Sequence, residues 1–466
     1  MDVLSSVVNW IVSLGASVFL PIVMFIIGII FGMKPGKAFK AGVMLGIAFT
    51  AISALNSALL SGTIAPVAQT AMENSGTGLE FIDVGWTPAS MIAWAWPLAA
   101  TVFPLQIIIN LIMLALNWTD TLNVDLWNVW TKIFLAAIAY TATGNLLLAY
   151  VVASVFVVAE LKLGDLFAKD VQDSTGIPDV TCTHSGLANV LPVMPIAYLV
   201  DNLPFLKGKT YDAAAIQKKI GFLGDPSVIG IVMGVIIGLV AGKDVAGCLK
   251  IAIAVASYVI VLPRIAQLFS EALMPISNAA TTFMKARFPG RKFNIGLDWP
   301  ILTANPAVVT SSVLLIPVTI LLAIVLPGNK TLPFGDVANL CAFIIGAAVL
   351  FRGDIVKTFI TGIPIIIVGL YSSTTIGPLF TQLAASVGYE MPAGASAITY
   401  FKAGPFIWDV VMAVEGNWLV FVPLTILFAV GFWMIYKFYF KPRNAKAAEA
   451  EKKAPSSPFS SFPRAI

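Results

Sequence analysis

Thr121-Leu122-Asn123-Val124-Asp125-Leu126-Trp127-Asn128 and, in the second half of the chain, Thr331-Leu332-Pro333-Phe334-Gly335-Asp336-Val337-Ala338-Asn339 each follow directly on a long apolar run. Each opens on Thr-Leu and carries an aspartate with an asparagine three residues on. The surrounding chain is 58% hydrophobic, so an acid set beside an apolar run calls for a reason. An ionisable group at bilayer depth costs about 2.5–3.5 kcal/mol on insertion scales. Acids placed alike in two halves of such a chain point to a duplicated membrane fold with its working site between the copies.

Composition agrees. With 466 residues, 11% of them charged, and a mean hydropathy of +0.91, the chain reads as an all-α polytopic membrane protein. A soluble domain of this size needs far more charge to cover its surface. The net charge of +4 is no nucleic-acid signature. It comes largely from loops and from Lys437, Lys441, Arg443, Lys446, Lys452 and Lys453, which read as a cytoplasmic anchor. Cys182, Cys248 and Cys341 lie far apart, without CxxC or Cys/His spacing, and read as small core residues. No disulfide, zinc site or other metal centre is expected. The first apolar run is too long for a cleavable signal and lacks a basic n-region, so it is expected to stay as a span.

Spans are predicted at 8–33, 38–62, 90–117, 129–158, 225–242, 251–272, 307–327, 337–351, 358–376 and 415–436, with a weaker one, broken by Gly and Pro, at 177–205. About eleven crossings place the termini on opposite sides. Lys34, Lys37 and Lys40 mark an inside loop, whereas the connection from Thr63 to Ala89 has Glu73, Glu80 and Asp83 but no Lys or Arg. Lys207, Lys209, Lys218 and Lys219 mark the inside again, as do Lys285, Arg287, Arg291 and Lys292, then Arg352 and Lys357, and finally the tail. The N-terminus is then outside and the C-terminus cytoplasmic. Lys162 and Lys169 fall on the outer side in this scheme.

The likeness between the halves extends beyond the aspartates. Leu14-Gly15, Ser17-Val18, Gly28 and Gly32 match Leu223-Gly224, Ser227-Val228, Gly238 and Gly242, and Gly85 and Pro88 match Gly296 and Pro300. The expected organisation is a first repeat over 1–205, a basic cytoplasmic linker at 206–222, a second repeat over 223–410, a last span at 411–436 and a basic tail at 437–466. With five spans per copy the second repeat is inverted relative to the first.

Asp125 with Asn128, and Asp336 with Asn339, place a carboxylate and an amide at i and i+3, neighbours on a helical face. Acceptor-only carboxylates beside bifunctional amides suit a polyhydroxylated ligand. The plainer alternative is a solvated aspartate capping the next span. Gly335 and Pro333 around Asp336 indicate an irregular turn, or re-entrant hairpin, tolerated at membrane depth only inside protein or beside a water-filled cavity. His184, the single histidine, sits among Thr183, Ser185 and Gly186. It is a buried structural residue or, with Ser185, a ligand contact. Trp86 and Thr87 correspond to Asp298 and Trp299; the tryptophan reads as an interfacial anchor or as a stacking platform for a sugar-like face. Asn305-Pro306 reads as the cap of a broken helix, and Asn56 and Ser57 as helix-packing polars.

Walker A, HExxH and GxSxG signatures are absent from the sequence, as are Arg-rich voltage sensors and paired acids suited to glycosidic cleavage. No catalytic residue and no cofactor is expected. Inverted halves with intramembrane acids point to a transporter of a polar solute, and a proton- or sodium-coupled secondary transporter is one choice of how it is driven.

Family features weigh on that choice. Gly32-Met33-Lys34, Phe39-Lys40-Ala41-Gly42, Asp83-Val84-Gly85-Trp86, Asn123 through Asn128, Lys162-Leu163-Gly164-Asp165, Gly296-Leu297-Asp298 and Val325-Leu326-Pro327-Gly328-Asn329 through Asp336 resemble the galactitol-type enzyme IIC membrane subunit of bacterial phosphotransferase systems, in the ascorbate–galactitol superfamily. The likeness covers nearly all of the chain except the tail. Where galactitol-type proteins tend to carry Pro-His-Gly, this chain reads Thr183-His184-Ser185-Gly186. The resemblance implies a homodimeric, elevator-type carrier in the bacterial inner membrane, with a fixed scaffold (8–62 and 225–272) and a mobile core. It implies a polyol substrate, a phospho-cysteine IIB subunit as phosphoryl donor and, behind it, IIA. Trp86, Thr87, Asp125, Asn128, His184, Ser185 and Asp336 are the substrate contacts it carries over.

Overall fold

A computed structural model describes residues 16–55, 79–212 apart from 124, 126 and 127, 225–287, 293–389 apart from 334 and 337–339, and 397–443, with a few single positions between. Leu14-Gly15, Asn56, Ser57, Leu223-Gly224, Asn339 and the tail beyond Arg443 lie outside the described residues.

In chain order the first half runs α1 (Ala16–Ile30), α2 (Pro35–Leu55), β1 (Phe81–Asp83), α3 (Trp86–Ala95), α4 (Ala99–Ala115), β2 (Thr121–Asn123), α5 (Val129–Thr143), α6 (Leu146–Thr175), β3 (Val180–Cys182), a 3-10 helix (Ser185–Val193) and α7 (Met194–Asn202). The second half runs α8 (Pro226–Val240), α9 (Val245–Arg287), β4 (Asn294–Leu297), a 3-10 helix (Trp299–Ala304), α10 (Pro306–Val325), β5 (Thr331–Leu332), α11 (Leu340–Leu350), α12 (Ile355–Ser386) and β6 (Ile398–Thr399). A 3-10 turn (Phe401–Ala403), α13 (Gly404–Val414) and α14 (Trp418–Met434) follow. Helix dominates because lipid offers a backbone no partners, so each segment must satisfy its own amides. Four helical segments are long and apolar enough to cross: Leu146–Thr175, Pro306–Val325, Ile355–Ser386 and Trp418–Arg443.

The first two helices of each half pack chiefly on one another. Gly230, Gly234 and Gly238 of α8 let its backbone close on Ala256, Ala252 and Cys248 of α9. Small residues at this spacing permit the dispersion contacts that hold helices together in lipid. Against this layer stands the remainder of the chain, and its centre is not helical.

Six short strands form two parallel sheets, ordered β5-β1-β6 and β2-β4-β3. In the first, Phe81 lies opposite Thr331 and Asp83 opposite Thr399. In the second, Asn123 lies opposite Gly296 and Cys182 opposite Leu297. Each sheet takes its middle strand from one half of the chain and its flanking strands from the other. These strands correct the all-α expectation: at two to four residues they are too short to show an alternating pattern.

All six strands end at one place. Tyr400, just beyond β6, has its ring 5.7 Å from Trp130 and 5.8 Å from Phe134, both on the helix that follows β2. His184, just beyond β3, lies within electrostatic reach of Lys402 beyond β6 and of Lys132 on α5. The carboxyl ends of the two sheets therefore face a common centre. The long helices α4 and α10, of 17 and 20 residues, connect these sheets in opposite senses, α4 from the first to the second and α10 from the second to the first.

Several predicted spans change shape. The run 129–158 is two helices, because Gly144 takes the left-handed conformation (φ +64°) and Asn145 then caps α6 by accepting from the Leu148 amide at 3.1 Å. Helix α5 spans about 22 Å, too short to cross, whereas the 30-residue α6 reaches about 45 Å. The run 90–117 divides into α3 and α4 at Trp96-Pro97-Leu98, and 177–205 is β3, a 3-10 helix and α7. Segment 251–272 is the middle of the 43-residue α9. Helix α11 is buried along its whole length and α5 from Val129 to Ala139, so protein rather than lipid clads these stretches.

Charge collects at one end of the molecule. Asp170 near the end of α6 pairs with Arg443 and, at 3.3 Å, with Arg352; Arg352 also reaches Asp173 at 3.5 Å. Lys357 pairs with Asp201 at 2.8 Å, and Tyr439 donates to the same carboxylate. Lys169 pairs with Asp173. It therefore lies at the same end as Arg352 and Arg443, not the opposite one, because α6 starts afresh at Asn145 and is longer than the predicted span.

Candidate functional site

Asp83 closes β1 and is wholly buried. One carboxylate oxygen accepts from the amides of Gly85 (3.1 Å) and Phe401 (2.9 Å), and the other from the amide of Asp336 (2.8 Å). A carboxylate is acceptor-only, so three converging N–H groups occupy both of its oxygens and tie three segments of the chain together. Asp336 is wholly buried in turn, and its own carboxylate faces Lys402 at 3.6 Å.

Gly335 sets this approach. A Cβ there would stand 2.2 Å from the Gly85 amide nitrogen and 2.4 Å from the Val84 carbonyl carbon, both backbone atoms that cannot step aside. Gly335→Ala is expected to push the Asp336 segment off β1 and to cut uptake at least tenfold, with a lower melting temperature; unchanged uptake by a normally expressed variant would remove this contact from the account.

The second sheet repeats the theme with different partners. Asp298 follows directly on β4 and accepts from the Trp299 amide at 2.6 Å, and its neighbours are Asp125, the Asn128 amide and Lys132. Asp125 accepts from the Asn128 backbone at 3.2 Å and from the Asn128 side chain at 2.6 Å. Asp125 and Asn128 thus form a turn ahead of α5 rather than a pair along a helical face, as the i, i+3 spacing had suggested. Asp125 is buried rather than solvated, and the residue at the N-cap of α5 is Asn128, whose backbone amide Asp125 accepts. Each sheet therefore ends in two aspartates, one from each half of the chain.

Lys132 and Glu160 went unnoticed in the sequence. They form an ion pair between α5 and α6 in which Lys132 is wholly buried and Glu160 nearly so. The Lys132 ammonium also donates to the Asn128 carbonyl at 3.1 Å. Single charges inside apolar helices are the signal that could have found them. Lys402 also escaped notice, lying beyond a two-residue strand.

His184 caps its 3-10 helix, with Nδ1 accepting from the Gly186 amide at 3.0 Å. That bond requires a lone pair on Nδ1, so Nε2 carries the proton and is left as a donor. The imidazole is half-buried, 6.4 Å from the Trp299 ring. Ser185 is half-buried and opens the 3-10 helix; Trp86 and Thr87 open α3, with Trp86 half-buried against the core. Asn305 caps α10 by accepting from the Ala307 amide at 2.9 Å, as its place before Pro306 suggested. Asn339 lies outside the described residues. The three cysteines are buried and free, and no metal-ligating cluster occurs among the described residues.

Broken crossings that meet at a buried polar centre are the arrangement of a solute permease. The family described as "PTS system sugar-specific permease component" (EIIC-GAT) matches residues 10–394. The chain is 36% identical to the "PTS system galactitol-specific EIIC component" of Escherichia coli strain K12 over 405 residues, 87% of this chain and 90% of that one. It is equally similar to the same component of strain O157:H7, and 35% identical over 404 residues to a "Putative permease IIC component" of strain K12, covering 86% and 92% of the two chains. The chain belongs to this family of sugar-specific phosphotransferase-system permease components.

Proposed function

We propose that the protein carries a galactitol-like sugar alcohol across the bacterial inner membrane, where a separate phosphorylated IIB subunit, recharged by IIA, phosphorylates it at the cytoplasmic face. The buried centre at the facing sheet ends is the observation that carries this reading, together with the relatives' printed names. Asp336 and Asp125 accept from substrate hydroxyls, Asn128 and Asn339 bridge them, and His184 donates through Nε2. Ser185 and Thr87 add hydroxyls, and Trp86 offers a face to stack on. The phosphoryl donor sits on another chain, and the anionic product is trapped inside the cell without an ion gradient.

In this reading residues 1–205 and 223–410 are inverted repeats, joined by the linker at 206–222 and followed by a last span at 411–436 and a basic tail. The opposite senses of α4 and α10, and sheets whose carboxyl ends face each other, support it. Gathering Lys169, Arg352 and Arg443 at one end supports a cytoplasmic C-terminus, with the N-terminus outside. Helices α1, α2, α8 and α9 act as the scaffold and homodimer contact, and the rest as a mobile core. Asp125, Asn128 and Asp336 are at most 4% exposed, so a polyol needs a movement of the protein to reach them, and in this reading that movement is an elevator motion of the core against the scaffold.

Uptake by membrane vesicles tests this. Radiolabelled galactitol is expected to accumulate as its phosphate only when the phospho-donor proteins are supplied, and collapse of the ion gradient should leave it unaffected. Gradient-driven accumulation of unmodified galactitol would establish an ion-coupled transporter instead.

A further inference from the structure

The two halves differ at one buried pair. Lys132 lies seven residues beyond Asp125, and Phe343 seven beyond Asp336. Glu160 lies fifteen residues beyond Asn145, which caps α6, and Gly369 fifteen beyond Asp354, which caps α12. Where the first half sets an ammonium against a carboxylate, the second lays the Phe343 ring on Gly369, so closely that a Cβ at 369 would come within 2.4 Å of it. Both solutions fill the same gap between a short buried helix and the long helix after it. Packing alone therefore does not require the ion pair.

What the ion pair supplies is a donor. The Lys132 ammonium has three N–H bonds; one meets Glu160, and another reaches back 3.1 Å to the Asn128 carbonyl. The Phe156 ring flanks it at 5.8 Å. Asn128 is the residue whose amide grips Asp125 and neighbours Asp298, and its carbonyl also receives the Thr131 hydroxyl at 2.8 Å. We infer that Lys132, oriented by Glu160, is a positioning residue: it fixes the Asp125–Asn128 turn of the first half in its substrate-accepting geometry, a constraint that the Phe343–Gly369 pair does not provide in the second half. This rests on the polyol reading of the centre.

Two variants of the full-length protein test it. Lys132→Met with Glu160→Gln removes both charges at nearly constant volume, and Lys132→Phe with Glu160→Gly transplants the second half's pair. Hydrogen–deuterium exchange reads the turn without any ligand, and titration calorimetry with galactitol reads the site. The expected result, for whichever variant keeps the parental size-exclusion profile, is at least tenfold faster exchange in the peptide containing Asn128 and Thr131. The rest of α5 should be unchanged, and galactitol affinity at least tenfold weaker. Parental exchange in that peptide, or parental galactitol affinity, in a folded variant overturns the inference. If the parent itself does not bind galactitol, the polyol reading falls, and exchange alone decides the positioning role.

Discussion

Asp336→Asn is expected to abolish uptake while leaving the protein folded. Asparagine keeps the volume, and the bond from residue 336 to Asp83 comes from its backbone amide, which the substitution does not touch. What disappears is the charged acceptor: a hydrogen bond to a charged group contributes about 1.5–3 kcal/mol, so losing one weakens binding about ten- to a hundredfold. The substitution also strips Lys402 of its counter-charge. Adding Lys402→Met removes that burden, and uptake should remain lost in the double variant. Near-normal transport by either variant, at parental expression and with a single size-exclusion peak, would take Asp336 out of the site.

Asp83→Ala should fail in another way. Its carboxylate satisfies three buried amides on three segments, and each amide left without a partner costs about 1–3 kcal/mol. The sum, about 3–9 kcal/mol, is comparable with the whole stability of many folded domains. The variant is therefore expected to lose its monodisperse peak or to melt far below the parent. Asp83→Asn should rescue it only in part, because one carboxylate oxygen becomes a donor facing an N–H. An Asp83→Ala protein as stable as its parent would contradict the role assigned to this residue. The two neighbouring aspartates are thus distinguished by these predictions: Asp83 holds the backbone, and Asp336 is the proposed acceptor for the ligand.

Much of this centre was legible because a polar residue in apolar sequence is conspicuous. Asp125, Asn128 and Asp336 stood out for that reason, as did His184, the single histidine, and Trp86 at a span end, and the resemblance pointed to the same residues. Asp83 and Asp298 were visible only as acids near span ends, since nothing in their immediate sequence reveals that β1 and β4 carry them to the middle of a sheet. Lys132 and Glu160 were diluted by the apolar residues on either side, and only the pairing of α5 with α6 brings them together. The strands were illegible for a physical reason: their partners come from the other half of the chain, so local pattern carries no trace of them. Hydropathy likewise merged α5 with α6, because the break rests on one left-handed glycine followed by one capping asparagine.

The central claim is that two inverted halves meet at the facing ends of their shared sheets, within the membrane. Single cysteines placed at Glu80 or Lys330, an exposed ion pair at the amino end of the first sheet, and at Lys169 or Arg352, exposed at the charged end, test it most directly in a background lacking Cys182, Cys248 and Cys341. A membrane-impermeant maleimide is expected to label positions 80 and 330 from the periplasmic side only, and positions 169 and 352 from the cytoplasmic side only. Labelling of both sets from the same side would contradict the arrangement.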